Sequence, residues 1–361
     1  MLRTINNIDP SSLPDIDCVV IGVNTEATLT RCLQSIRDCE YPWEKLHVIY
    51  VDGGSMDRSV EIAKSTADIQ VISLGDRHPT PGRGRNAGWR AGHSPLIQFL
   101  DSDTVLEPDW LTKGVQAIYS EKTGAVQGYR KEMHPDTTVF NWLTSLEWNG
   151  PAGEAEAFGG DVLIRRKILE ETGGYDEIMV GGEDPELSQR VRDKGWRILQ
   201  LDTVMTHHDI AMFKISQYFK RAFRSGYGFA AVIDKGAGRE RRFWFIEFRR
   251  IIVRGGGTLF FFVTAICLLI MAFFLHSLFF IPCFISTLLA LVLLFWPRLF
   301  RVNAFRDAMD LTEQQARVYA WHCSLVVFPD ILGVLRYYLG KIAKSPLRNT
   351  PGKHKPHTKA T

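Results

Sequence analysis

The chain has 361 residues, 43 Lys and Arg against 40 Asp and Glu, and a formal net charge of +3. That length allows two domains or one large domain with an appendage, and the near-balance of charge excludes a general polyanion surface, so no nucleic-acid partner is expected. Six cysteines without a CxxC pair exclude a disulfide-built secreted fold and indicate a reduced compartment.

Residues 1–16 read as a polar tail without the apolar stretch of a secretory signal. "CVVIGVN" (Cys18 to Asn24) is then a continuous apolar strand ending in a turn. "TEATLTRCLQSIRDCE" follows as a helix, with Leu29, Leu33 and Ile36 at helical spacing. "KLHVIYVDGGS" is a second strand that stops at Asp52 and a Gly-Gly turn. "MDRSVEIAKST" is a second helix, and "IQVISL" a third strand. "GRGRNAGWRAGH" reads as a loop leading into a helix, and "PLIQFLDSD" as a fourth strand ending at Asp101-Ser102-Asp103. Short links between alternating strands and helices argue for an α/β fold, a parallel sheet covered on both faces. Ligands of such sheets bind at the carboxyl ends of the strands, where Asn24, Asp52 and Asp101 to Asp103 all fall.

Two acids two residues apart repel unless a cation lies between them. Past the end of a strand, Asp101 and Asp103 can turn toward one divalent ion, and oxygen ligands suit Mg²⁺ or Mn²⁺ held together with substrate phosphates. A solvated turn is the alternative. Asp52 suits a ribose hydroxyl or a base N–H, and Gly53 and Gly54 allow close backbone approach. Ser55 reads either as a ligand contact or as the cap of the next helix. Arg83 and Arg85, near a helix start, suit a phosphate or a base carbonyl, or else lie on the surface.

Farther on, "FGGDVLIRRKILEETGGYDEIMVGGEDPELSQRVRDKGWRI" contains a strand, a helix, a Gly-Gly turn, and Glu183-Asp184 opening another helix. With Pro185 at the first helical position, Asp184 is its cap. Alternatively Asp184 is a general base that an acceptor hydroxyl can reach. His207 and His208 end the strand "RILQLDTVMTHH", and one of them can complete a metal site, with His207 the expected ligand.

Residues 258–296 contain no Asp, Glu, Lys or Arg. This is roughly twice the ~20 residues that cross one bilayer as a helix, and His276-Ser277 offers a turn near its middle, so a transmembrane hairpin is expected. Arginines on both flanks (249, 250 and 254; 298, 301 and 306) put both ends on the cytoplasmic side. "RGGG" at 254–257 reads as a flexible entry to the membrane. The basic, aromatic stretch from Met212 to Gly257 reads as an amphipathic helix on the preceding domain or as an interface element on anionic lipid. The apolar stretch Val318 to Leu339 is expected to be interfacial or re-entrant, with a full span as the alternative.

Strand-end Asp52, the GRGRN segment, Asp101-Ser102-Asp103 and Gly182-Glu183-Asp184, in this order, resemble the family 2 glycosyltransferases of GT-A fold. The resemblance covers about Cys18 to Tyr227, and the two-span tail resembles that of membrane-attached members. It implies inverting transfer from a nucleotide-diphosphate sugar, UDP-linked by frequency among relatives, with Mg²⁺ or Mn²⁺ as cofactor. By position, Asp52 holds base or ribose, Asp101 lies near the ribose, Asp103 ligates the metal, Arg85 lies near the nucleotide, Asp184 is the base and Glu183 a supporting acid. The first strand ends in "IGVNTEA", one residue shorter than the usual family pattern, which leaves the nucleotide-contacting place to Asn24 or Glu26. "QYFKRAFRSG" lacks the tryptophan of the processive synthases, so transfer of a single sugar is expected. The expected organisation is a tail (1–16), a catalytic domain (17–230), a basic linker (231–257), the hairpin (258–296), a third amphipathic or membrane segment (297–344) and a disordered basic tail (345–361). The expected partners are a lipid-linked or glycan acceptor and membrane lipids, with the catalytic domain on the cytoplasmic face of the plasma membrane. The rivals are a sugar-phosphate nucleotidyltransferase, which should begin with a glycine-rich loop, and a catalytically silent scaffold.

Overall fold

The computed structural model describes residues 13–75, 78–120, 122–148, 150–236 and 243–349. The expected terminal tails fall mostly outside this range. Two compact units emerge: Met1–Ala211 with Arg348–Thr361, and Met212–Leu347.

The first unit contains strands β1 (Ile16–Gly22), β2 (Leu46–Asp52), β3 (Ile69–Ser73), β4 (Leu96–Asp101), β5 (Thr104–Leu106), β6 (Thr123–Glu132), β7 (Gly153–Ala155), β8 (Val162–Arg165) and β9 (Arg197–His208). Its helices are α1 (Leu29–Arg37), α2 (Ser59–Ser65), α3 (Pro81–Ala91), α4 (Trp110–Ile118), α5 (Val139–Glu147), α6 (Arg166–Thr172) and α7 (Glu183–Asp193). The sheet runs β3-β2-β1-β4-β8-β6-β9-β5, with β7 paired to β9. β3, β2, β1 and β4 are parallel, β8 is antiparallel to β4, and β6 is parallel to β9.

β1 shows why both faces are covered. Cys18 and Val20 pack with Leu29, Cys32 and Ile36 of α1, whereas Val19 packs with Trp89 of α3, as strand alternation requires. Gln98, the polar residue of β4, is fully buried and accepts from Trp110 Nε1 at 2.8 Å.

The GRGRN segment is helical, a correction to the expected loop. Pro81 opens α3, and Thr80 Oγ1 accepts from Arg83 N at 3.3 Å. The glycines serve close packing. A Cβ on Gly88 would lie 2.2 Å from Val19 Cγ1, and one on Gly84 would lie 3.3 Å from Ile21 Cγ2. Side chains there would push α3 off β1.

The second unit contains α8 (Ile215–Lys235), α9 (Phe245–Arg250), a π-helical run (Ile251–Gly256), α10 (Gly257–Phe274), α11 (Phe280–Phe300), α12 (Val302–Met309), α13 (Glu313–Leu325) and α14 (Val327–Ile342). The turn between α10 and α11 falls at His276, whose ring accepts from Leu278 N at 3.1 Å. The expected flexible entry at 254–257 is helical instead, because Gly255 lets the backbone approach α14: a Cβ there would lie 2.9 Å from Ile331 Cβ. α8 crosses α14 at two glycines. A Cβ on Gly226 would meet Asp330 O at 2.0 Å, and one on Gly333 would meet Phe223 O at 2.1 Å. By length and composition three helical segments among the described residues can cross a membrane: Phe245–Phe274, Ser277–Phe300 and Glu313–Ile342.

Candidate active site

The ends of β2 and β4 flank the end of β1, with Gly22 opposite Asp52 and Ile21 opposite Asp101. Two clusters form there.

The first cluster ties the loops after β1 and β2 together. Asp52 is buried and accepts from Gly54 N at 3.0 Å and from Ser55 N at 2.9 Å, and the Ser55 hydroxyl also bonds to it. Asn24, at φ 55, donates its amide to Ser55 Oγ and accepts from Met56 N, both at 2.8 Å. Glu26 accepts from Arg58 N at 3.1 Å, and its own amide donates to Asp57 at 3.1 Å. Asn24, Glu26 and Asp52 are therefore occupied with shaping this edge. Ser55 does not cap α2, which begins at Ser59, where Asp57 receives the Ser59 amide at 3.0 Å.

The second cluster surrounds two arginines. Arg85 is buried on the inner face of α3. Its Nη2 donates to Asp101 at 2.8 Å and its Nη1 to Glu183 at 3.2 Å. Asp184 Oδ1 also lies 3.2 Å from Nη1, but off the N–H direction, so it forms an ion pair while the oxygen keeps no hydrogen bond. Tyr175 lies under the guanidinium at 5.4 Å. Arg130 of β6 contacts Asp161 at 3.0 Å and Asp101 at 3.8 Å, and feels the charges of Asp103 and Asp184 as well. Asp161 is buried and also accepts from Asp101 N at 3.0 Å and from Thr206 Oγ1 at 2.8 Å. Acids from three separate segments thus share one pair of guanidiniums.

The charge balance sets the protonation. Burial pushes the Asp184 carboxyl up to about 8, with Arg85 pulling against it and Glu183 and Asp101 adding to the rise. Burial works against the charge of Arg85, but Asp184 and Asp101 outweigh it and hold the guanidinium charged. Burial also raises Asp161, against the pull of Arg130.

Asp184 is not the cap of α7. The helix starts at Glu183, and Gly182, at φ 86, occupies the cap position. A left-handed residue there favours glycine, which leaves the Asp184 side chain to face Arg85.

The histidine nearest Asp103 is His208, not the expected His207. His208 Nε2 lies 3.3 Å from Asp103 Oδ2, whereas His207 Nε2 pairs with Glu107 at 2.5 Å. Neighbouring strand residues point to opposite faces, so only one of the pair can reach the site. Trp148 packs edge-on against His208 at 5.0 Å.

A divalent cation fits what is present here. Asp103 and His208 offer oxygen and imidazole donors side by side. His208 Nδ1 is buried without a hydrogen-bond partner. No cluster of three or more His, Cys, Asp or Glu suited to a metal occurs among the described residues.

Arg130 and Asp161 were missed in the sequence, which left the choice between His207 and His208 open. Asp161 carried a readable signal, an acid after Gly-Gly and before an apolar strand. Arg130 carried none, because its place depends on the register between β6 and β9.

Solved structures with this architecture define the fold as GT-A. A mannosyltransferase, PcManGT from Pyrobaculum calidifontis, in complex with GDP-Man and Mn²⁺, superposes with TM-score 0.60 at 15% identity, covering 91% of this chain and 88% of that one. TarS of S. aureus in complex with UDP-GlcNAc superposes with TM-score 0.51 at 13% identity, covering 90% of this chain and 92% of that one. A profile described as glycosyl transferase family group 2 matches residues 96–299, more than half of the chain, and one described as glycosyl transferase family 2 matches residues 17–173. The chain belongs to the family 2 glycosyltransferases. Glycosyltransferase AglE of Haloferax volcanii is 25% identical over 226 residues, which is 60% of this chain and 74% of that protein. Probable glycosyltransferase YdaM of Bacillus subtilis is 26% identical over 208 residues, which is 52% of this chain and 48% of that protein.

Proposed function

We propose that this enzyme transfers one sugar, with inversion, from a nucleotide-diphosphate sugar to a hydroxyl of a lipid-linked or glycan acceptor at the cytoplasmic face of the plasma membrane, in polysaccharide or glycolipid synthesis. The observation that carries this reading is the convergence of Asp101, Glu183 and Asp184 on Arg85. Asp184 accepts the acceptor's proton as its oxygen bonds to the anomeric carbon. The bond from that carbon to the diphosphate breaks, and its electrons leave with the nucleotide. The Asp184 oxygen without a hydrogen bond suits this role, and general-base help contributes roughly 10²- to 10⁴-fold. Glu183 and Asp101 hold Arg85 in place, and Arg130 screens the acids. Asp103 and His208 would hold Mg²⁺ or Mn²⁺, which when bound offsets charge on the leaving diphosphate. Asn24, Glu26 and Asp52 shape the edge that receives the nucleotide. The donor class is supported by the GDP-Man and UDP-GlcNAc complexes of the similar structures.

A nucleotidyltransferase would require a glycine-rich loop after β1. In its place stands Asn24, bonded to Ser55 and Met56. Product analysis separates the readings. Full-length enzyme with Mn²⁺, a panel of nucleotide sugars and vesicles of total membrane lipid should release nucleoside diphosphate. Pyrophosphate as the product, from a nucleoside triphosphate and a sugar phosphate, would overturn the proposal.

A further inference from the structure

The segment between α6 and α7 delivers Glu183 and Asp184 to Arg85, and positive-φ glycines bound it. Gly173 and Gly174 stand at φ 80 and 78 at its start, and Gly182 stands at φ 86 at its end. Such residues swing at little steric cost, so the segment needs an external fastening to hold Asp184 in one place. Asn86, the residue after Arg85 on α3, supplies the buried part of it, beside Thr80 Oγ1 and Arg90 Nη1, which donate to Glu177 O and Glu177 Oε1, each at 2.7 Å. The Asn86 side chain is buried, and all four of its hydrogen-bonding positions are used. Nδ2 donates to Tyr175 O at 2.8 Å and to Glu177 Oε1 at 2.9 Å. Oδ1 accepts from Tyr175 N at 2.9 Å and from Trp89 Nε1 at 3.0 Å. One amide thus pairs with both main-chain polar groups of Tyr175, as a neighbouring strand would. The fit excludes a side chain on the hinge: a Cβ at Gly174 would lie 2.4 Å from Asn86 Oδ1. Tyr175 in turn carries the Arg85 guanidinium on its ring.

We propose that Asn86 is a positioning residue for the transfer reaction: it latches the glycine-bounded segment 173–182 to α3, so that Arg85 and Asp184 are set by one rigid unit. This rests on the reading of Asp184 as the base. A misplacement of about 1 Å at a reacting group can cost on the order of 10²-fold in rate, which is the scale on which the latch acts.

The test measures Asn86→Asp, Glu177→Gln, their double variant and Asp184→Asn in full-length enzyme, as nucleoside diphosphate release to lipid or water. Asn86→Asp keeps the shape but turns a donor into an acceptor facing Tyr175 O and Glu177. Expected are a fall in kcat of about tenfold or more with the KM for nucleotide sugar within about twofold, a displaced pH–rate profile, and faster amide exchange confined to 173–182. Glu177→Gln in the same chain lets the new amide donate to the aspartate, and should recover part of kcat. Folded Asn86→Asp enzyme with kcat and pH profile unchanged would overturn the latch. So would a fall in kcat, like that of Glu177→Gln alone, that the double variant does not relieve. Should Asn86→Asp not fold, Glu177→Ala decides, because it removes the acceptor of Asn86 Nδ2: it should speed exchange at 173–182 and lower kcat, and unchanged values overturn the proposal. Asp184→Asn separates the two ideas: full activity there removes the base assignment, whereas an inactive Asp184→Asn beside a normal Asn86→Asp removes only the latch.

Discussion

Each compact unit holds an arginine among its own groups, buried for Arg85 and half-buried for Arg254, and the two are held by opposite means. Arg85 in the α/β unit meets three carboxylates, Asp101, Glu183 and Asp184. Arg254 in the helical unit meets three main-chain carbonyls, donating to Leu293 O at 3.4 Å, Leu294 O at 3.3 Å and Cys323 O at 2.9 Å. Two of those carbonyls lie where a helix donor is missing or the helix breaks. Pro297, inside α11, lacks the N–H that would bond Leu293 O. Cys323 lies just before the break between α13 and α14 at Val326. Arg254 therefore bonds helix backbone, whereas Arg85 gathers acids from separate segments at the sheet edge. Burial alone does not distinguish a functional charge from a structural one; the partners do.

Replacing each arginine tests that contrast. Arg85→Leu leaves Asp101, Glu183 and Asp184 facing one another without their cation. Removing one partner of a buried ion pair costs about 3–5 kcal/mol, so chemical unfolding should show a loss of that size, and the folded fraction should be inactive. Arg254→Leu strands carbonyls instead, at about 1–3 kcal/mol, and activity per folded molecule should be kept. The Pro297→Ala change restores an N–H for Leu293 O, so it should lessen the cost of Arg254→Leu in a double-mutant cycle. Strict additivity would show that Arg254 does not serve that carbonyl.

A smaller effect lies in the pH dependence. With the Asp184 carboxyl pushed up to about 8, kcat/KM should climb as pH rises toward that value, by about tenfold per unit well below it. The sign for stability is opposite. An aspartate raised above its unfolded value of about 3.9 favours the folded state while protonated, so that contribution is lost as pH rises through about 8. A flat kcat/KM profile between pH 6 and 9 would show that Asp184 does not titrate as the base.

The four parallel strands were readable because each is an apolar run closed by a turn residue, and so was the placing of Asp52 and Asp101 at their carboxyl ends. The apolar helical hairpin was readable from its missing charges. What failed in the sequence depended on distant packing. The glycines of α3 look like a loop until Val19 and Ile21 are seen beneath them. The choice between His207 and His208 turns on which face of β9 meets Asp103, which a pair of adjacent histidines does not disclose. For Asp184 the sequence left a cap beside the base reading, because the residues around it satisfy capping rules; Gly182 takes the cap position by its left-handed backbone.

The central claim is that Asp184, freed by Gly182 and held beside Arg85, removes the acceptor proton in a glycosyl transfer. Asp184→Asn isolates it, with titration calorimetry for nucleotide-sugar binding and nucleoside diphosphate release for turnover. The account predicts donor affinity close to that of the parent enzyme and turnover reduced by about 10²- to 10⁴-fold. Undiminished turnover in the folded variant would contradict it.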